Sequence, residues 1–321
     1  MTLQFMRKFR LTVQIAKGQP QALDLSDFYF RFRVSQPTAE QPKTAEIYVY
    51  NLSLNTVNLL AGTEDQNKDT QVILEFAYGS DDFETVFKGT AFQFRRGRDD
   101  PTNTWLCILG QCGDFVKNFA LVNASIPAGT SVNDVQDFFI KQYNSNGIDT
   151  GEVPTLTGQR YPRGRVFFGQ LDYHVNRFCK ENNITFDVTD DLFNAVPIGG
   201  YSQIPMQILT PKTGMIGMPQ LTSEGVRVSC LLNPKMKRGG RVQIDMTNLQ
   251  TEAYDTTYRQ QGNDQPFKNQ KLATNADGTF TIVSVEHYGE SRGQDCTTDL
   301  ICVGIGAVVP LSGVSITGVN G

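Results

Sequence analysis

The chain has 321 residues, too many for one simple core and enough for two or three domains. Hydrophobic residues make up 39% and charged residues 19%, which excludes a disordered or fibrous chain and fits a soluble globular one. A net charge of −4 argues against nucleic acid as the main ligand, and no run of 18 apolar residues marks a membrane-crossing helix.

Arg7, Lys8 and Arg10 interrupt the N-terminal apolar stretch, so it lacks a signal-peptide core, and a cytoplasmic product is the expectation. Residues 1–118 read as successive strands. Phe9, Leu11, Val13 and Ile15 alternate with other residues, as do Phe28, Phe30, Phe32 and Val34. In "KTAEIYVYNLSLNTVNLL", Ala45, Ile47 and Val49 form an apolar face, with Glu46, Tyr48 and Tyr50 opposite. That strand breaks at Asn51 and runs into a short helix capped by Ser53. Two apolar runs around Gly79–Asp82 predict a hairpin, Gly89 a second break or bulge, and Trp105–Leu109 a closing strand. Six or so strands with one short helix suggest a small barrel or sandwich.

The period changes over residues 119–205. Ser131 predicts an N-cap, Val132, Val135, Phe139 and Tyr143 one helix face, and Gly147 its end. A second helix turns Leu171, Val175, Phe178 and Cys179 inward and stops at Asn182-Asn183. A strand over Ile184–Val188 and a turn at Asp190-Asp191 complete a compact α/β insert. Residues 206–310 return to strands, with turns at Asn233-Pro234 and Gly239-Gly240. A polar stretch, 247–277, is long for a plain loop and suggests a projecting segment, and 311–321 reads as a flexible tail. "GTAFQFRRGRDDPTNTWLCILG" and "GTFTIVSVEHYGESRGQDCTTDLICVG" echo each other, which fits two related barrels or two ordinary hairpins.

Chemistry is scarce. Two histidines, His174 and His287, leave no room for a multi-His metal site and disfavour a Ser-His-Asp or Cys-His arrangement. His287 is expected at the end of a strand, in a hydrogen-bonded turn role. The carboxylate pairs Asp81-Asp82, Asp99-Asp100 and Asp190-Asp191 sit in turn signals. The six cysteines have neither zinc-ribbon nor thioredoxin spacing and read as reduced, buried thiols. No cofactor or metal is expected, and no enzymatic activity. Two basic clusters remain, Arg95, Arg96 and Arg98 and then Lys235, Lys237, Arg238 and Arg241. Both fall near hairpin turns, either as solvated turns or as a rim for an acidic partner or a phosphate backbone.

The order of parts resembles the baseplate hub proteins of Mu-like contractile-tailed bacteriophages, and is similar to the hub portion of type VI secretion spike proteins. The phrases that carry it are "TAEIYVYNLSLNTVNLL", "AGTSVNDVQDFF", "LDYHVNRFCKENNITFDV", "TGMIGMPQLTSEGVRVSCLLNPKMKRGGRVQI" and the second hairpin quoted above. The resemblance implies an α+β, mainly β chain with two tube-type β-barrel or sandwich domains flanking the α/β insert. It implies a homotrimer in the virion tail baseplate, assembled in the host cytoplasm without membrane insertion. Six tube domains per ring would match the six-fold tail tube protein above, with a three-fold central spike protein below. The tape-measure protein, and DNA in transit, would pass through the lumen. Candidate interface residues are then Tyr48, Tyr50, Arg95, Arg96, Arg98, Lys235, Lys237, Arg238 and Arg241, and the helix after Ser53 is a plug or clasp at the end of the sheet. A tail-associated cell-wall hydrolase and a carbohydrate-binding β module are the alternatives.

Overall fold

The computed structural model describes residues 6–15, 21–37, 41–61, 70–158, 160–222, 225–245, 250–251 and 278–305. Strands hold 51% of these residues and helices 16%. Most of the expected polar segment 247–277 and the whole of the tail 311–321 lie outside the described residues.

The first region contains β1 (Arg7–Gln14), β2 (Ala22–Asp24), β3 (Phe30–Gln36), β4 (Thr44–Tyr50), α1 (Leu54–Leu60), β5 (Thr70–Tyr78), β6 (Glu84–Arg98) and β7 (Thr104–Gln111). The alternation in β3 and β4 buries Phe30, Phe32, Val34, Ala45, Ile47 and Val49 in one cluster. Phe9 of β1 meets that cluster from the far side, its ring centroid 5.8 Å from Phe30 and 5.0 Å from Phe76. The strand-to-helix corner turns on Asn51, whose φ of 56° is one that Asn tolerates. Its N–H donates to the Thr104 carbonyl, and its side chain accepts from the Thr104 N–H. Ser53 then caps α1 through the Thr56 N–H, and Leu60 is buried.

Gly89 is not a break. β6 runs through it to Arg98, and its irregularities lie elsewhere, between Thr85 and Phe87 against β5 and between Ala91 and Gln93 against β7. The glycine answers a close approach instead: a Cβ there would sit 2.7 Å from the Gln111 carbonyl oxygen and 2.8 Å from the Phe87 ring.

The middle region contains α2 (Asp114–Phe119), β8 (Leu121–Ile126), α3 (Val132–Ser145), β9 (Asp149–Thr150), β10 (Arg165–Gln170), α4 (Leu171–Glu181), β11 (Ile184–Thr189) and β12 (Leu192–Pro197). Ser131 and Asp134 form a reciprocal capping box at the start of α3. Val135, Phe139, Tyr143, Leu171, Val175 and Phe178 fill a second cluster, as the helical spacing required.

The last region contains β13 (Gln207–Leu209), β14 (Met215–Thr222), β15 (Gly225–Leu231), β16 (Arg241–Ile244), β17 (Gln250–Thr251), β18 (Thr279–Glu290) and β19 (Cys296–Gly304) around a third cluster. It does not stand apart from the first. β18 pairs antiparallel with β3, so one large sheet runs β17-β14-β15-β19-β18-β3-β4-β7-β6-β5-β1-β2. At this seam Phe32 faces Gly289, and a Cβ on residue 289 would lie 2.6 Å from the Phe32 ring. His287 lies inside β18, facing Val34, and not at a turn after a strand. The strand continues past it because residues 285–289 pair with both β3 and β19. All six cysteines are free and buried.

The middle region is fixed to both β regions by the β11–β12 turn. Asp190 and Asp191 both have positive φ, 54° and 61°, which makes the tight two-residue turn expected of Asp-Asp between paired strands. Lys43 Nζ donates to both Asp190 carboxylate oxygens at 2.7 and 2.9 Å, and the two side chains are only 3% and 5% exposed. The Lys88 N–H donates to Asp190 at 3.0 Å and Lys88 Nζ meets Asp191 at 3.2 Å. From the last region, Lys237 reaches Asp190 at 3.6 Å, and Arg238 grips Asp187 at 2.8 and 3.2 Å.

Removing one partner of the Lys43–Asp190 pair leaves an uncompensated buried charge. Asp190→Asn or Lys43→Met should each destabilise by about 3 to 5 kcal/mol, and the paired change Lys43→Met with Asp190→Leu by less than the sum, in urea unfolding. A pH effect is expected at His287. Burial, then the charges of Lys43 and Lys237, lowers its pKa from 6.5 to about 3. Between those values the unfolded chain binds the extra proton, so stability present above pH 6.5 falls as pH drops, by up to about 1.4 kcal/mol per pH unit. Urea midpoints measured from pH 6.5 to 5 should show this slope, and His287→Asn should flatten it.

Candidate assembly surface

Tyr48 and Tyr50 lie on the outer face of the large sheet, opposite Ile47 and Val49. In register, Tyr48 is flanked by Arg31 of β3 and Cys107 of β7. The Arg31 guanidinium stands 4.6 Å from the Tyr48 ring centroid and 5.7 Å from that of Tyr50. Trp105 presents its edge to Tyr48 at 5.4 Å, and Tyr29 lies 4.9 Å from Tyr50. The Tyr48 hydroxyl donates to Glu46 at 2.7 Å, and this bond, followed by burial, raises its pKa. The same face continues across the seam, where Arg33 pairs with Glu286 and the Tyr288 hydroxyl donates to Glu290. Tyr50 is 8% exposed, so its own chain already covers it.

The first basic cluster divides. Arg95 faces Cys107 on the outer side, while Arg96 and Arg98 face Leu106 and Thr104 one residue out of phase. All three are exposed, on the part of β6 that extends past its pairing with β5. The second cluster is not a patch either. Lys235 approaches Glu84 at 3.6 Å, Lys237 and Arg238 hold the Asp187–Asp190 tip, and the Arg241 guanidinium stacks 4.4 Å from Tyr201. These cations act mainly between regions of the chain.

The sequence reading missed the most exposed apolar surface. Among the described residues, β8 and β10 pair only with each other, as a two-stranded ribbon. Its inner face gives Val122 and Phe167 to the middle core. Its outer face leaves Leu121, Val166 and Phe168 exposed by 75%, 73% and 77%. Phe115 and Phe119 of α2, with rings 6.1 Å apart, and Tyr173 of α4 are also exposed on this region. A smaller exposed set, Met206, Ile208, Ile216 and Met218, flanks the 3₁₀ turn Pro211–Thr213. The available signal was the run "RVFFGQ", but its consecutive apolar residues occupy both faces and do not show a one-sided strand.

Among the described residues, no three His, Cys, Asp or Glu side chains are grouped to hold a metal ion, and no helix is long and apolar enough to cross a membrane. The carboxylate pairs are at turns: Asp100 accepts from the Thr102 hydroxyl at 2.7 Å and from the Thr102 and Asn103 N–H groups at 2.8 and 2.7 Å, and these turn bonds, the Thr102 hydroxyl first, lower its pKa.

No family model matches the chain, and no curated protein matches it. Solved structures do. The 43 kDa tail protein of prophage MuSo2 from Shewanella oneidensis is similar with a TM-score of 0.58 at 8% identity, over 94% of this chain and 100% of that one. A tail protein from Neisseria meningitidis MC58 is similar at 0.54 and 8%, over 92% and 96%. The Escherichia coli c3393 protein is described as a component of the type VI secretion system with structural similarity to the T4 tail proteins gp27 and gp5. It is similar at 0.53 and 11%, over 92% and 76%. The chain therefore has the tail hub-like fold shared by these phage tail and type VI secretion proteins.

Proposed function

We propose that this chain is a structural protein of a phage tail baseplate, a homotrimeric hub that adapts a six-fold tail tube to a three-fold central spike. The likeness to tail proteins over nearly the full length of both chains carries this reading. In it, residues 1–118 and 206–310 are two tube-type β domains and 119–205 the insert, a division supported by the three hydrophobic clusters. Three chains place six such domains in a ring, whose channel passes the tape-measure protein and then DNA. A closed ring needs two different patches per chain, each fitting the other on the next copy. The β8–β10 face and the Met206–Met218 corner supply two exposed apolar patches on different regions. The overhanging Arg95, Arg96 and Arg98 are assigned to the rim, where the tube and spike proteins dock.

Native mass spectrometry and electron microscopy of the full chain test this. A trimer with a three-fold ring and central channel is expected, and a chain that stays monomeric at high micromolar concentration overturns it. Leu121→Asp with Phe168→Asp should lower the trimer fraction tenfold or more while leaving the thermal midpoint of the monomer unchanged. Tyr50→Ala should do the reverse, lowering monomer stability by about 3 kcal/mol through loss of a buried ring.

A further inference from the structure

A cavity of about 40 Å³ lies where the middle region meets the first β region. Tyr143 of α3, Asp172 and Asn176 of α4, Lys117 of α2, Asp187 of β11 and Cys112 line it. Tyr143 is 1% exposed, and its hydroxyl has no protein partner among the described residues. Its ring is held by packing, 4.8 Å from Phe193 and 6.4 Å from Phe186. A buried hydroxyl left unbonded costs about 1 to 3 kcal/mol, and native interiors rarely leave one so.

The other walls are polar. Asp172 accepts from Asn176 Nδ2 at 2.7 Å through one oxygen, leaving lone pairs on the carboxylate for a second donor. Burial pushes the Asp172 carboxyl above its usual range. Burial, then the Asp172 charge, holds the Tyr143 phenol protonated and therefore a donor. Asp187 is already paired with Arg238 and also accepts from Gln36 and Thr189, all at its Oδ2, so the Arg238 charge offsets its own. One water needs about 10 to 15 Å³, so a space of about 40 Å³ has room for up to three or four.

We propose that this cavity is a built hydration site, in which ordered water accepts the Tyr143 O–H and donates to the Asp172 carboxylate. The water then ties α3 to α4 within the middle region, on the side where that region meets the first β region.

A crystal structure of the full chain at about 1.8 Å or better tests the site. A density peak at hydrogen-bond distance, about 2.7 to 3.2 Å, from both Tyr143 Oη and an Asp172 oxygen is expected. An empty cavity or a Tyr143 hydroxyl bonded to a protein group overturns the proposal. So does a peak about 2.0 to 2.6 Å from the carboxylate oxygens, the distance of a metal cation. In solution, Tyr143→Phe keeps the ring and removes only the donor. A hydrated hydroxyl predicts a lower urea midpoint for the variant; a higher midpoint means that the hydroxyl was unbonded and sinks the idea.

Discussion

The Asp190 carboxylate is the point on which the arrangement of the chain depends. It is buried, it bears a charge, and its compensation comes from elements far apart in sequence: Lys43 at the start of β4, the Lys88 N–H in β6, and Lys237 before β16. A charge with so little access to water is tolerated only when every partner is present. The middle region therefore cannot shift on either β region without stranding Asp190 or Lys43, which costs more than losing an apolar contact. The turn that carries the carboxylate is itself stiff, with two positive-φ residues between strands paired from Thr189 to Leu192 outward.

That junction works because β3 and β18 form one sheet. Residues about 250 apart in the chain pair from Arg31–Glu290 to Gln36–Val285, and Leu232 and Cys296 of the last region enter the first core. Gln36, at the end of this seam, donates to Asp187 and Thr189, and its carbonyl accepts from Ser284. Such long-range pairing is entropically expensive to form early, so the seam and the ionic tip are expected to close late in folding, after the local hairpins. His287 sits within this junction as a neutral imidazole bonded to Thr298. Two nearby lysines and the lack of water both oppose its protonation.

Local structure was largely legible in the sequence. Alternation located β3, β4 and β15, the run Trp105–Leu109 located β7, and helical spacing with Ser131 located α3 and its buried face. Asp190-Asp191 was legible as a turn, but not as an ionic anchor, because the partners that bury it lie up to 147 residues away. The seam was invisible for the same reason: a strand's pattern states that it has a face to bury, not which strand lies beside it. β8 and β10 were missed because six-residue strands with apolar residues on both faces have no clean period. Lys237 and Arg238 read from the sequence either as solvated turn residues or as part of a basic rim, whereas their distances to Asp190 and Asp187 make them fasteners.

The contrast between the sheet's outer face and the ribbon of the middle region follows from strand number. On a broad sheet, aromatic and charged side chains have cross-strand neighbours on both sides, and here Arg31, Tyr48, Trp105, Arg33 and Glu286 satisfy one another. Residue types that look made for a partner are thus consumed within the chain. Each strand of the β8–β10 ribbon has a cross-strand neighbour on one side only, and among the described residues no layer covers the outer face, so Leu121, Val166 and Phe168 stay open while the inner face packs on the middle core. A surface that a single chain cannot complete is what a ring of identical copies requires. In the proposed hub, the ribbon face outranks the tyrosine-rich strand as the contact between copies because exposure, and not residue type, decides what remains to be buried.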